Sequence, residues 1–316
     1  MVIASGWQEK CLSSWEYRQP DMKLSTDDLL TLHETAISAA TEAGRLIAGY
    51  ANKTVAVEHK NGGDSLASQV VTEVDLLSEA VILKWLQPTC EPHGLALLTE
   101  ESTDDRARLQ RDYFWCIDPL DGTLCFIKST AGYAVSIALV SRAGTPVIGV
   151  VYDPADHTLY SAVKGQGAWR NRQSWGHDLN ASMAAKPLTV VCDLSLLQRH
   201  DYPQILQALE SSGDCPGFSE LKMIEVGGAV MSACHVIENQ PACYFKLPKA
   251  ETGGGCLWDF AATAAIFHEL GAVATDFHGG PLELNRAEST YMNHRGVMYA
   301  SHPELAKFIR QSLKSF

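Results

Sequence analysis

Apolar residues recur at helical spacing along Leu29, Leu32, Ala36, Ala39, Ala40, Ala43 and Ile47. Ser25 with Asp28 three positions on is a capping-box signal, so an amphipathic helix is predicted to open there. A second helix is predicted to begin between Thr72 and Asp75 and to carry Leu76, Leu77, Ala80, Val81, Leu83 and Trp85. Short apolar runs at 95–98 and 113–117, bounded by polar residues, fit buried strands. Runs at 133–140, 147–152 and 159–162, separated by Gly144-Thr145-Pro146 and Asp153-Pro154, predict an antiparallel meander. From Leu188 the pattern changes to strands (188–192, 242–245, 272–275, 297–300) alternating with helices (202–209, 229–237, 259–269 and one from Pro303). The expectation is an irregular N-terminal extension (1–21), an α+β sub-domain (22–185) and an α/β sub-domain (186–316).

A chain of 316 residues can bury a sizeable core. Its nine cysteines show no C-x-x-C pair and no metal-finger spacing, which reads as free thiols in a reducing compartment, hence a cytoplasmic protein. No apolar stretch approaches the ~18 residues of a membrane span, so no membrane partner is expected. A net charge of −12 argues against a nucleic-acid polymer, because a phosphate backbone requires a basic footprint. A small anion held through metal ions fits that charge.

The strongest chemical signal is Trp115-Cys116-Ile117-Asp118-Pro119-Leu120-Asp121-Gly122-Thr123: an apolar strand, two carboxylates across a proline turn, then Gly-Thr. Two carboxylates that close repel unless a cation lies between them. Oxygen-only donors favour Mg²⁺, then Mn²⁺, over Zn²⁺. The competing reading is a turn in which each Asp bonds local backbone amides. Leu95–Leu98 leads into Thr99-Glu100-Glu101-Ser102, a second strand that delivers carboxylates at its end. Asp259 follows Gly253-Gly254-Gly255 at the start of a helix, where it is either a ligand or an N-cap. Asp75 is either a site acid or a first-turn helix acid. The D-x-D spacing of haloacid-dehalogenase phosphatases, a G-x-S-x-G elbow and a Walker A loop are all missing.

Together the segments VTEVD (71–75), TEES (99–102), IDPLDGT (117–123), YAVSIALV (133–140), GVVYDP (149–154), GQGAW (165–169), WDFAA (258–262) and ELGAVATD (269–276) resemble the inositol monophosphatase-like phosphatases, relatives of fructose-1,6-bisphosphatase. The resemblance covers roughly 26–310. It implies a layered αβαβα sandwich with the active site between the two halves. It also implies two or three Mg²⁺ ions (Mn²⁺ as substitute) on Glu100, Asp118, the Leu120 carbonyl, Asp121 and Asp259, with Asp75 near a weaker metal position. Glu100 and Thr123 fall where that family places its attacking water, while Gly122 and Thr123 would offer amides to the phosphate. The implied activity is phosphomonoester hydrolysis of a small phosphorylated metabolite by metal-activated water, and a homodimer is the expected assembly.

For the substrate, the run into Cys125-Phe126-Ile127 and a loop carrying Lys246 and Lys249 look closest to the 3′(2′),5′-bisphosphate nucleotidases, the lysines meeting a second phosphate. Leu124-Cys125 and Phe260 depart from that branch, which leaves inositol 1-phosphate or another sugar or polyol phosphate as the alternative. The segment Lys60–Thr72 is longer than in the family, so Asp64 and Lys60 carry no assigned role. A catalytically inactive binding protein is the remote alternative; its mark would be a lost ligand, and every acidic ligand is present.

Overall fold

The computed structural model describes residues 23–51, 53, 55, 57–59, 70–179, 182–211 and 218–316. The N-terminal extension, Lys60 and Asp64 lie outside the described residues.

Helix α1 (Thr26–Tyr50) opens on a reciprocal cap: the Asp28 amide donates to Ser25 Oγ at 3.1 Å, and the Ser25 amide donates to the Asp28 carboxylate at 2.9 Å. Its apolar stripe from Leu32 to Ile47 is buried. Helix α2 (Glu73–Cys90) is capped the same way by Thr72 and Asp75. A short hairpin, β1 (Val57–His59) with β2 (Val70–Thr72), precedes it.

Seven strands then form one sheet in chain order: β3 (Ala96–Thr99), β4 (Tyr113–Asp121), β5 (Ala134–Ser141), β6 (Pro146–Asp153), β7 (Thr158–Val163), β8 (Gly167–Arg170) and β9 (Gln173–Trp175). β3 and β4 are parallel, and every later pair is antiparallel. The second sheet has the order β11-β10-β12-β14-β13, from β10 (Leu188–Cys192), β11 (Leu221–Glu225), β12 (Ala242–Lys246), β13 (Val273–Thr275) and β14 (Val297–Ala300). Its first three strands in that order are parallel. The remaining helices are α3 (Thr123–Ile127), α4 (Leu194–Leu197), α5 (Tyr202–Ser211), α6 (Ala229–Glu238), α7 (Leu257–Leu270) and α8 (Pro303–Ser312).

The layers follow from where apolar faces are satisfied. α1 and α2 cover one face of the large sheet, packing on Trp115, Ile117 and Ile137. α6 and α7 fill the space between the sheets with Phe260, Phe267, Tyr244 and Tyr299. α7 is buried almost all round, as a helix between two sheets must be. α5 and α8 close the outer face over Leu188, Phe245 and Met298. The result is the expected αβαβα sandwich.

Several elements differ from the pattern-based reading. β8 and β9, too short to show alternation, meet at Asn171-Arg172, both with positive φ (52° and 63°), the conformation of a tight hairpin turn. β4 does not stop at Ile117 but runs through Pro119 to Asp121. α7 starts at Leu257 with Cys256 at its N-cap, so Asp259 is the third helical residue rather than the cap. β1, β2, β11, α3 and α4 have no counterpart in the pattern-based reading. The seven cysteines among the described residues are free thiols, and no described helix is long and apolar enough to cross a membrane.

Candidate metal centre

Residues three apart on a regular strand point to opposite faces, so Asp118 and Asp121 in an unbroken β4 would diverge. Asp118 pairs with Ser136 and Asp121 with Ala134, so three steps on β4 oppose two on β5. The extra residue is a bulge at Pro119-Leu120, which turns both carboxylates to one side. A proline, which cannot donate to a ladder, is tolerated there. Pro119 thus sits in a bulge within a continuing strand and not in a turn that ends it. The Leu120 amide donates to Asp118 Oδ1 at 3.0 Å, and Ser78 of α2 donates to the Pro119 carbonyl at 2.7 Å.

Asp259 reaches the same point from α7. Its carboxylate accepts from the Cys256 amide at 2.9 Å, fixing the first turn. Ser136, opposite Asp118, donates to the Trp258 carbonyl at 3.1 Å and ties that turn to the sheet. Ligand oxygens of Asp118, Asp121 and Asp259 all lie within 4.8 Å of one another. Asp121 also accepts from the Ala229 and Val230 amides at 3.2 and 2.9 Å, so the N-terminus of α6 bears on this carboxylate. A β-carbon on Gly228 would lie 2.1 Å from Asp121 Oδ2, so only glycine permits that approach.

The remaining expected residues sit around this group. Glu100 follows β3, its amide donating to the Ile117 carbonyl at 3.2 Å. It is not part of the three-carboxylate group, yet its charge acts on Asp118, Asp121, Asp259 and Asp75. Gly122 holds a left-handed conformation (φ 79°) at the N-cap of α3, and the first amides of that helix lack intrahelical acceptors. Thr123 Oγ1 lies 2.9 Å from Asp75 Oδ1 and 3.1 Å from the Leu120 carbonyl, a donor to either. Asp75 is thus both the helix-capping acid and a partner of Thr123; the two readings of it coexist. Lys249 is tied by its backbone to Asn293 and is not in the carboxylate group.

Burial, then the charges of neighbouring carboxylates, raises the Asp118 carboxyl well above its ordinary range. Asp121 is raised for the same reasons against the opposing pull of the α6 amides. Burial and Glu100 raise Asp259, and burial raises Asp75 despite its hydrogen bonds to Thr72 and Thr123. Such a cluster is stable as anions only around positive charge. The Lys246 ammonium, whose charge acts on Asp259 and Asp121, is engaged: its Nζ lies 2.6 Å from Asp193 Oδ2 and 3.2 Å from Ser195 Oγ, with the side chain only 14% exposed. The donor set is all oxygen and anionic, which fits a hard divalent cation such as Mg²⁺.

Three positioning residues escaped the sequence reading. Ser78 and Glu79 share the inner face of α2 with Asp75; Glu79 accepts from Thr99 Oγ1 at 2.7 Å and Ser102 Oγ at 3.0 Å, bracketing Glu100. Asp193 caps α4 and accepts from Tyr244 Oη at 2.9 Å as well as pairing with Lys246. The signal for α2 was available as polar residues at 75, 78 and 79 in an otherwise apolar pattern. Glu79→Ala leaves two hydroxyls without their acceptor; a loss of about 1–3 kcal/mol in stability is expected. A fall in turnover of about 10–100-fold is expected with it, the size seen when partners of metal-ligand shells are removed. Chemical denaturation and phosphate-release kinetics check both.

The Inositol monophosphatase family model matches residues 28–315. The chain is 33% identical over 249 residues to the Nus factor SuhB of Escherichia coli (strain K12), covering 78% of this chain and 85% of that protein. It is 30% identical over 219 residues to the 3′(2′),5′-bisphosphate nucleotidase CysQ of the same organism, covering 69% and 81%. The structure of inositol monophosphatase from Anabaena (Nostoc) sp. PCC 7120 superposes with a TM-score of 0.65 at 22% identity, over 91% of this chain and 96% of that one.

Proposed function

The chain belongs to the inositol monophosphatase family, and from that membership we propose that it is a Mg²⁺-dependent phosphomonoesterase acting on a small phosphorylated metabolite. The convergence within 4.8 Å of Asp118 and Asp121 from β4 with Asp259 from α7 carries the reading. When bound there, Mg²⁺ supplies charge that neutralises the phosphoryl oxygens and acidifies a water.

The chain's own residues do the rest. Asp118 and Asp121, from one strand, and Asp259, from the helix layer between the sheets, are the residues that would hold the cation. Asp75 accepts the Thr123 hydroxyl proton, which leaves the Thr123 lone pairs to receive a hydrogen bond from the attacking water. Glu100, on the strand end bracketed by Glu79, is the acceptor for the proton that water loses. The amides opening α3 at Gly122 and Thr123 face phosphate oxygens. Thr123→Val is expected to lower kcat about 100-fold while changing KM less than about threefold, because it removes water orientation rather than substrate contact; steady-state kinetics would show the split.

The substrate proposed is a 3′(2′),5′-bisphosphate nucleotide, supported by the similarity to CysQ and by two lysines, Lys246 closing β12 and Lys249 on the segment after it. One observation favours the second reading, inositol 1-phosphate. The Lys246 ammonium is already neutralised by Asp193 and is not a bare receptor for a second phosphate. Lys249, on the segment after β12, is the other side chain that the nucleotide reading invokes. Comparing kcat/KM for adenosine 3′,5′-bisphosphate, inositol 1-phosphate and fructose 1,6-bisphosphate with Mg²⁺ separates them. Preference for the nucleotide supports the first reading, preference for inositol phosphate the second, and no Mg²⁺-dependent release from any of them leaves the binding-protein alternative.

A further inference from the structure

A second concentration of charge lies on the outer face of the small sheet. Lys307 and Arg310 of α8, Lys314 in the turn after it, and His278 surround a groove of about 410 Å³ walled in part by Phe277 and Pro248. None of the four basic side chains makes a hydrogen bond or ion pair among the described residues. Of the acids nearby, Asp276 is already engaged, accepting from Arg295 and from the Gly280 amide, the latter at 2.8 Å, and the α-carboxylate of Phe316, which also lines the groove, offsets one positive charge of the three. Arg310 is half-buried and held in place. A β-carbon on Gly279, which has φ +90°, would lie 3.3–3.5 Å from the guanidinium, so this planar group rests against the 276–280 turn.

In a chain of net charge −12, four unpaired basic groups around one apolar-walled groove are a local inversion of the protein's charge. Three permanent positive charges match a ligand with at least two negative ones, and a guanidinium favours phosphate oxygens. The volume falls in the range of small-molecule sites and exceeds what one phosphate fills. Phe277 and Pro248 offer that extra space an apolar wall suited to a ring.

We propose that this groove is a second ligand site, separate from the carboxylate centre, for a phosphorylated ring compound of nucleotide size. It stands independently of the reaction proposed above. The test is equilibrium dialysis of the full chain against ADP in EDTA, with phosphate and adenosine as comparison probes. Wild-type protein and Asp121→Asn bind ADP alike, at least about tenfold more tightly than either comparison probe. The Lys307→Gln/Arg310→Gln double variant, melting at the wild-type temperature, binds ADP at least about tenfold more weakly. Raising the salt weakens wild-type binding. Three results overturn the proposal: no saturable ADP binding by wild type; binding lost in Asp121→Asn but kept in the double variant, which places the ligand at the carboxylates; or equal affinity for phosphate and ADP, which leaves charge without a ring site.

Discussion

Asp121→Asn is expected to lower Mg²⁺-dependent phosphate release by about a thousandfold or more, about 4 kcal/mol of transition-state stabilisation. The side chain keeps its size, and its one carbonyl oxygen can still accept from one of the two amides, Ala229 and Val230, that reach separate carboxylate oxygens in the wild type; the other amide loses its acceptor. What is lost is one of three anionic donors at the point where the cation sits. With one carboxylate fewer, the mutual repulsion in metal-free protein also falls, which offsets the lost amide hydrogen bond of about 1 kcal/mol, so the variant melts within a few degrees of wild type in EDTA. Reduced activity with near-wild-type metal-free stability separates a lost ligand from a damaged fold.

The second large effect is on stability. Asp118, Asp121 and Asp259 are raised above ordinary carboxylate values by burial and by one another's charge, Asp259 to about 7. In the unfolded chain they return to near 3.9. Between those values the native state holds more protons than the unfolded state, so metal-free stability falls as pH rises from about 4 to about 7. A divalent cation reverses this, because it binds the charged native site and not the unfolded chain. Thermal melts in EDTA should therefore drop across that window, and Mg²⁺ at pH 7.5 should raise the melting temperature by about 5 °C or more. A melting temperature that rises with pH in EDTA and ignores Mg²⁺ would contradict the cluster's electrostatics.

Much of this was legible in the chain because it is local. The Ser25–Asp28 cap, the α1 stripe and the meander from Tyr133 depend on residues a few positions apart, and the order of motifs points to the layered fold. Asp118, Asp121 and Asp259 could be picked out by residue type and boundary. Their convergence could not, because the bulge that turns Asp118 and Asp121 to one side is defined only against β5. Glu79 meets Thr99 twenty positions away, and Ser78 meets Pro119 forty-one away. Lys246, expected from the sequence to meet a second phosphate, is instead paired with Asp193 at the exit of a neighbouring parallel strand. Non-local pairs of this kind leave no periodic trace, and here they are the contacts that orient the site.

Phosphate release from the purified chain, assayed with Mg²⁺, after dialysis against a chelator, and after Mg²⁺ is restored, tests the central claim most directly. Release that disappears with the metal and returns with it is the predicted result. Release that continues unchanged in chelator would contradict the assignment of Asp118, Asp121 and Asp259 as the metal centre of a phosphomonoesterase.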